Sequence, residues 1–239
     1  MERYRLYRWK GACYRIKSPF FDVVTREVRL QRALLEKYLE AHPGFASSMK
    51  PVDTGPDAPP VARTMARAAA KAGVGPMAAV AGAFAQFAVE AALRAGAEDT
   101  VVDNGGDIYI ASHRPVTVGI YPGEGVLKDK LAIRLEPPDL PAAVCSSSSR
   151  MGHSASFGDC DLACVVSDDG PLADAVATAA CNIVQDVSDI ERVLGEISGI
   201  GGVRGVLIVK DDRVGIAGNF PPLVRNTKDP ASGGFRPSV

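Results

Sequence analysis

The sequence predicts an α+β fold, an antiparallel sheet with helices packed on one face. Three observations lead there. Six short strand candidates between residues 100 and 167 are divided by Gly, Pro, Asp and Asn breakers, with connections too short for parallel crossovers. Ala-rich segments with helical periodicity lie before and after them. The composition, 46% hydrophobic and 23% charged over 239 residues, is that of an ordinary globular chain.

Taken in order, YRLYRW and ACYRIK read as a strand pair turning at Gly11, and FFDVVT as a continuation of that sheet. From Glu27 to His42, Leu30, Leu34, Leu35, Tyr38 and Leu39 recur at helical spacing until Pro43-Gly44 stops the helix. Residues 43–60 form a breaker-rich loop long enough for a lid. Sixteen alanines between Ala62 and Ala97 mark two closely packed helices, at about 59–72 and 76–95, joined by AGVGP. The strand candidates follow at 100–104, 107–112, 116–122, 131–136, 142–147 and 161–167. Helices are expected at 172–187 and 189–197, then a hairpin turning at Lys210–Asp212. No internal repeat divides the chain, so one domain over residues 1–225 is expected, with a flexible tail at 226–239.

Charge and cysteine usage narrow the function class. The net charge is -1, without the basic surplus of a nucleic-acid binder. That total hides a division: residues 1–50 hold eleven Lys/Arg against five Asp/Glu, and the remainder is acidic. Aromatic residues interleave the basic segment, but edge strands with a charged solvent face explain it equally. Five cysteines and no apolar leader at the start favour a reduced, cytoplasmic setting. Ala72–Val89 approaches membrane-spanning length, yet its alanine content and Gln86 point to a buried helix, so no membrane partner is expected.

Three segments hold candidate chemistry. Asp103-Asn104-Gly105-Gly106-Asp107 joins two strands; its glycines admit positive φ and close approach to a phosphate, although the same turn also makes a tight hairpin. Ser146, Ser147, Ser148 and Ser149, with Arg150 and His153, concentrate hydroxyls and a cation after a strand, or form a polar surface loop. Asp174 and Thr178 lie one helical turn apart, able to share a hard cation such as Mg²⁺; alternatively Asp174 favours its own helix N-terminus. Cys160 and Cys164 are read as core residues on one side of a strand, and Gly73 and Gly75 as a helix–helix turn with room for a ligand contact.

In order, PMAAVAGAFAQFAVEAALRAGAEDTVVDNGGDI, AAVCSSSSRMGHSASFGDCD and ADAVATAACNIV resemble the ApbE-like superfamily, best known for FAD:protein FMN transferases and formerly associated with thiamine biosynthesis. The resemblance covers about half the chain, roughly Ala62–Val184. It implies an ApbE-like T-fold, Asp174 and Thr178 as Mg²⁺ ligands, and a flavin-nucleotide contact (FAD or FMN) at Gly105–Gly106. In those enzymes Mg²⁺ assists attack by a protein threonine on the FAD pyrophosphate. Here GHSASFGDCD stands where the family's His-x-x-Asp-Pro-x-x-Gly is expected, so the chain is similar to a shorter, uncharacterised branch. The expected function is binding of a phosphorylated small molecule with metal assistance, with FMN or phosphoryl transfer as the further step. The alternatives are a non-catalytic ligand-binding or regulatory protein on the same scaffold, and a structural or assembly protein. A homodimer is compatible with each.

Overall fold

The structure, a computed structural model, describes residues 3–124, 127–149 and 158–226. Arg150, His153 and the tail from 227 onward lie outside the described residues, as do the expectations placed on them.

Strands β1 (Arg5–Trp9) and β2 (Ala12–Lys17) pair antiparallel around Lys10-Gly11, both at positive φ as a primed two-residue hairpin requires. FFDVVT does not continue the sheet. It opens helix α1 (Phe21–Ala41), because Val24 and Val28 extend the buried stripe of Leu35 and Tyr38 by whole turns. That tertiary burial outweighs the strand preference of two valines. The expected loop contains a short helix, α2 (Pro43–Ser47), anchored by buried Phe45. Helix α3 (Pro60–Ala72) ends at Gly73, which takes the left-handed cap. A 3₁₀ turn (Pro76–Ala79) leads into helix α4 (Val80–Arg94). Gly75 contacts the chain itself: a Cβ there would lie 1.9 Å from the Ser48 carbonyl oxygen.

The strand series follows as β3 (Thr100–Asn104), β4 (Asp107–Ala111), β5 (Val116–Ile120), β6 (Leu131–Leu135), β7 (Ala142–Ser147) and β8 (Leu162–Ser167). Helices α5 (Gly170–Ile183) and α6 (Asp189–Ser198) precede β9 (Val203–Lys210), β10 (Arg213–Gly218) and β11 (Leu223–Arg225). The main sheet runs β1-β2-β3-β4-β7-β8-β9-β10 and is antiparallel throughout. Strands β5 and β6 leave it and join β11 in a small second sheet.

Two apolar layers result. Helices pack on one face, against Val102, Tyr109, Ala143, Cys145, Ala163 and Val165. The small sheet covers the other, where Ile110, Val144, Cys164 and Val166 meet Ile133 and Leu135. Cys160 and Cys164 therefore do not share a side. Cys160 precedes β8 and enters the helix-side core, while Cys164 enters the sheet–sheet core. The Pro76–Arg94 segment is long and apolar enough to cross a membrane by length and composition. Here Ala83, Ala85, Ala88, Val89 and Ala92 are buried in the helix-side core.

Candidate functional site

Close helix packing positions the site. Gly82 on α4 and Gly170 at the start of α5 meet backbone to backbone; a Cβ on Gly82 would lie 2.2 Å from the Gly170 carbonyl oxygen. Gln86 Oε1 accepts from the Gly170 amide at 2.7 Å, and Asp169 caps α5 by accepting from the Leu172 amide. The first turn of α4 thereby faces the second turn of α5. The Gly82 amide donates to Asp174 Oδ2 at 2.9 Å, and the Ala81 amide also bonds this carboxylate. Asp174 thus caps the neighbouring helix rather than its own, using amides that an α-helix cannot satisfy internally.

The β3–β4 hairpin approaches from the sheet. Gly105 and Gly106 sit at φ 74° and 109°, so the hairpin reading of this turn holds. Strand alternation divides its polar residues between two faces. Asn104 and Asp107 face the helices, where Asn104 Nδ2 donates to the Ala81 carbonyl at 3.2 Å. Asp103 faces away, 3.6 Å from Arg15 Nη1, and accepts from the Gly106 amide.

A cavity of about 490 Å³ opens where these parts converge. That is within the usual range for small-molecule sites. Its walls include Asn104, Gly105, Asp107, Ser146, Ser147, Ser148, Asp174 and Thr178, drawn from all three sequence candidates. Asp103, Gly106 and Ser149 are not in the wall. Ser149 instead pins the chain before β8, its hydroxyl accepting from the Cys160 amide at 3.1 Å. Sequence reasoning missed the opposite wall: Arg32, Leu35, Glu36 and Leu39 from α1, Met77 from the 3₁₀ turn, and Val80, Ala81 and Phe84 from α4. Arg32 and Glu36 form an i,i+4 ion pair at 3.0 Å, a pattern that reads as helix surface in sequence.

Two carboxyls dominate the electrostatics. Burial pushes Asp174 up to about 7, against the pull of the Gly82 and Ala81 amides. Burial, then the charges of Asp174 and Asp103, holds Asp107 well above the usual carboxylate range. Asp107 is half-buried as a residue, yet its Oδ1 is shut off from solvent and has no hydrogen-bond partner. A buried acceptor left open beside a second carboxyl calls for a proton or a cation. With the Thr178 hydroxyl on the same wall, the oxygen-donor set suits a hard divalent ion such as Mg²⁺. No group of three or more His, Cys, Asp or Glu is placed for a metal among the described residues, so the remaining ligands of such an ion must be other groups.

The comparisons agree with this architecture. The sequence profile described as AbpE bacteria matches residues 18–197. A UPF0280 protein of Methanocella arvoryzae is 40% identical over 94% of this chain and 95% of its own. One of Methanospirillum hungatei is 44% identical over 84% and 82%. Among solved structures, the apo flavinyl transferase ApbE of Pseudomonas stutzeri superposes with a TM-score of 0.55 at 12% identity, covering 90% of this chain and 94% of that one. The ApbE protein of Thermotoga maritima gives 0.54 at 14% identity, covering 94% and 97%. At such identities the likeness carries the fold and not the chemistry. The extent of the profile match and the full-length relatives together make this chain a member of the AbpE bacteria family, in its UPF0280 branch and on an ApbE-like fold.

Proposed function

We propose that the chain is a ligand-binding protein that takes a phosphorylated small molecule, such as the flavin nucleotides FMN or FAD, in the cavity between α1, α4, α5 and the β3–β4 hairpin. The observation that carries this reading is the buried Asp107–Asp174 pair with its open Oδ1. Asp107, Asp174 and Thr178 would hold Mg²⁺, which supplies positive charge against phosphate oxygens. Asn104, Gly105 and Ser147 offer neighbouring polar groups, and Met77, Val80 and Phe84 an apolar wall for a ring.

FMN transfer goes one step further and is the weaker reading, because the fold likeness carries no chemistry. A thermal-shift series with FMN, FAD and ADP, each with and without Mg²⁺, tests binding. A shift that requires both nucleotide and Mg²⁺, and disappears in Asp174→Ala, supports the site. Equal shifts in wild type and Asp174→Ala reject it. Release of AMP from FAD on a target protein would promote transfer over binding.

A further inference from the structure

One row of the main sheet runs from the carboxyl pair to the first hairpin. Cross-strand register sets Tyr7 opposite Tyr14, Tyr14 opposite Asn104, and Asn104 opposite Asp107. Residues directly opposite share a face, so all four look toward the helices. Four buried side-chain polar atoms have no hydrogen-bond partner among the described residues. Three of them, the Tyr7 and Tyr14 hydroxyls and Asp107 Oδ1, belong to this row; the fourth, Gln31 Oε1, is on α1. Native folds leave few such atoms open, and three in one row mark a place where something outside the chain supplies the partners.

Helix α1 lies over the hairpin end of this row and brings a cation to it. Its Phe21 ring meets Tyr7 edge-on at 6.4 Å, and Lys10 Nζ donates to Glu36 Oε2 at 2.6 Å. Glu36 Oε1 accepts from Arg32 Nε at 3.0 Å, so both carboxylate oxygens are taken. These bonds, that of Lys10 first, hold the Glu36 carboxyl below its usual range. Two cations against one anion leave the Lys10–Glu36–Arg32 triad net positive. Arg32 lines the cavity and meets Glu36 through Nε, which leaves its two Nη groups for another partner. Burial pushes the Tyr14 phenol up to about 12, so its hydroxyl stays protonated and donates. The cavity therefore differs in sign between its ends, with Asp107 and Asp174 at one and Arg32 at the other.

We propose that the α1 end of the cavity is a second subsite, in which Arg32 receives an anionic group, carboxylate or phosphate, at the far end of the ligand. This rests on the reading that the Asp107–Asp174 end holds a phosphate through Mg²⁺. A guanidinium matches either anion with paired N–H donors. The Tyr14 hydroxyl, which has no acceptor among the described residues, donates to the same group directly or through a water carried in with it. Tyr14 and Asp107 stand two strand spacings apart, roughly 10 Å. The ligand class is therefore a molecule with a phosphate at one end and a second anion about 10 Å away. A ligand anionic at one end only leaves Arg32 without its partner and binds more weakly.

Isothermal titration calorimetry of the full-length chain in Mg²⁺ tests this with fructose 6-phosphate, fructose 1,6-bisphosphate and 6-phosphogluconate. The first probe is anionic at one end, the other two at both. The two-ended probes should bind about tenfold or more tightly than fructose 6-phosphate. The tighter of the two identifies the second anion as phosphate or carboxylate. Arg32→Gln removes that ratio, weakening the two-ended probes far more than fructose 6-phosphate. Tyr14→Phe weakens the two-ended probes severalfold without lowering Tm, because the lost hydroxyl had no partner. Equal affinity of all three probes for wild type, or equal losses for all three in Arg32→Gln, overturns the subsite. Should wild type bind neither FMN nor any probe, the phosphate site itself fails and the subsite with it. Should fructose 6-phosphate bind in an Asp174-dependent way with no gain from a second anion, only the subsite fails.

Discussion

Adding one methyl group at Gly82 should destabilise the protein, while the same change at Gly195 should stabilise it. Both glycines are helical, in α4 and α6. The added Cβ at Gly82 falls 2.2 Å from the Gly170 oxygen and 2.9 Å from Asp174 Cβ. The first distance is more than ~1 Å inside the ~3.5 Å at which such atoms attract. Overpacking of this kind costs about 1–3 kcal/mol. Separating the helices also stretches the Gly82–Asp174 hydrogen bond, worth about 1.5 kcal/mol or more to a charged partner. Alanine recovers up to ~1 kcal/mol of helix propensity. The net loss expected for Gly82→Ala is ~2 kcal/mol, a fall in Tm of roughly 4–8 °C for a chain this size. At exposed Gly195 nothing lies within 4 Å, so only the propensity gain remains, a rise of roughly 2–4 °C. Differential scanning calorimetry of both variants decides the matter. A Gly82→Ala protein as stable as wild type would refute the close α4–α5 contact on which the site is built.

Further expectations concern the carboxyls, the hairpin and the core. With the folded carboxyl at about 7 and the unfolded one near 3.8, the folded state binds the Asp174 proton more tightly. Its stabilisation is therefore fully present below pH ~4 and is lost as pH rises through about 7. Between pH 5 and pH 8, wild type should lose roughly 2–3 kcal/mol relative to Asp174→Asn in urea unfolding; parallel pH profiles would contradict this. In the β3–β4 turn, Gly106→Ala at φ 109° should cost ~1–3 kcal/mol, while Gly105→Asn at 74° should cost less, because Asn tolerates the left-handed region. Equal midpoints for these two variants would argue against the turn. Leu172→Ala in the α5 core should cost ~2–5 kcal/mol in chemical denaturation, and a loss below 1 kcal/mol would mean a looser core.

Much of this architecture is legible in sequence where a local pattern and its tertiary use coincide. Gly105-Gly106 between two alternating strands could be read as a hairpin, and Asp174 and Thr178 as neighbours on one helix, without knowing what they face. FFDVVT was misread because its burial is decided by α4 and the first hairpin. The facing of Asp103 away from the cavity follows from pairing register, which one strand does not reveal. Arg32 and Glu36 carried no signal beyond an ordinary helix-surface pair, since their place in the wall depends on where α1 lies across the sheet. The partner of Asp174 was also hidden: two amides of α4, 92 residues upstream in the case of Gly82, have no side-chain signature.

The apolar helix α4 also has a consequence for synthesis. Just over half of it is buried, yet its partner α5 ends at Ile183, about 90 residues after Arg94. At ~5–20 residues per second, the ribosome leaves this helix without its neighbour for several seconds or longer. During that interval it is a membrane-length apolar rod in a nascent chain. Production of the protein should accordingly respond to translation speed and to the supply of holdase chaperones, more than the stability of the finished fold would suggest.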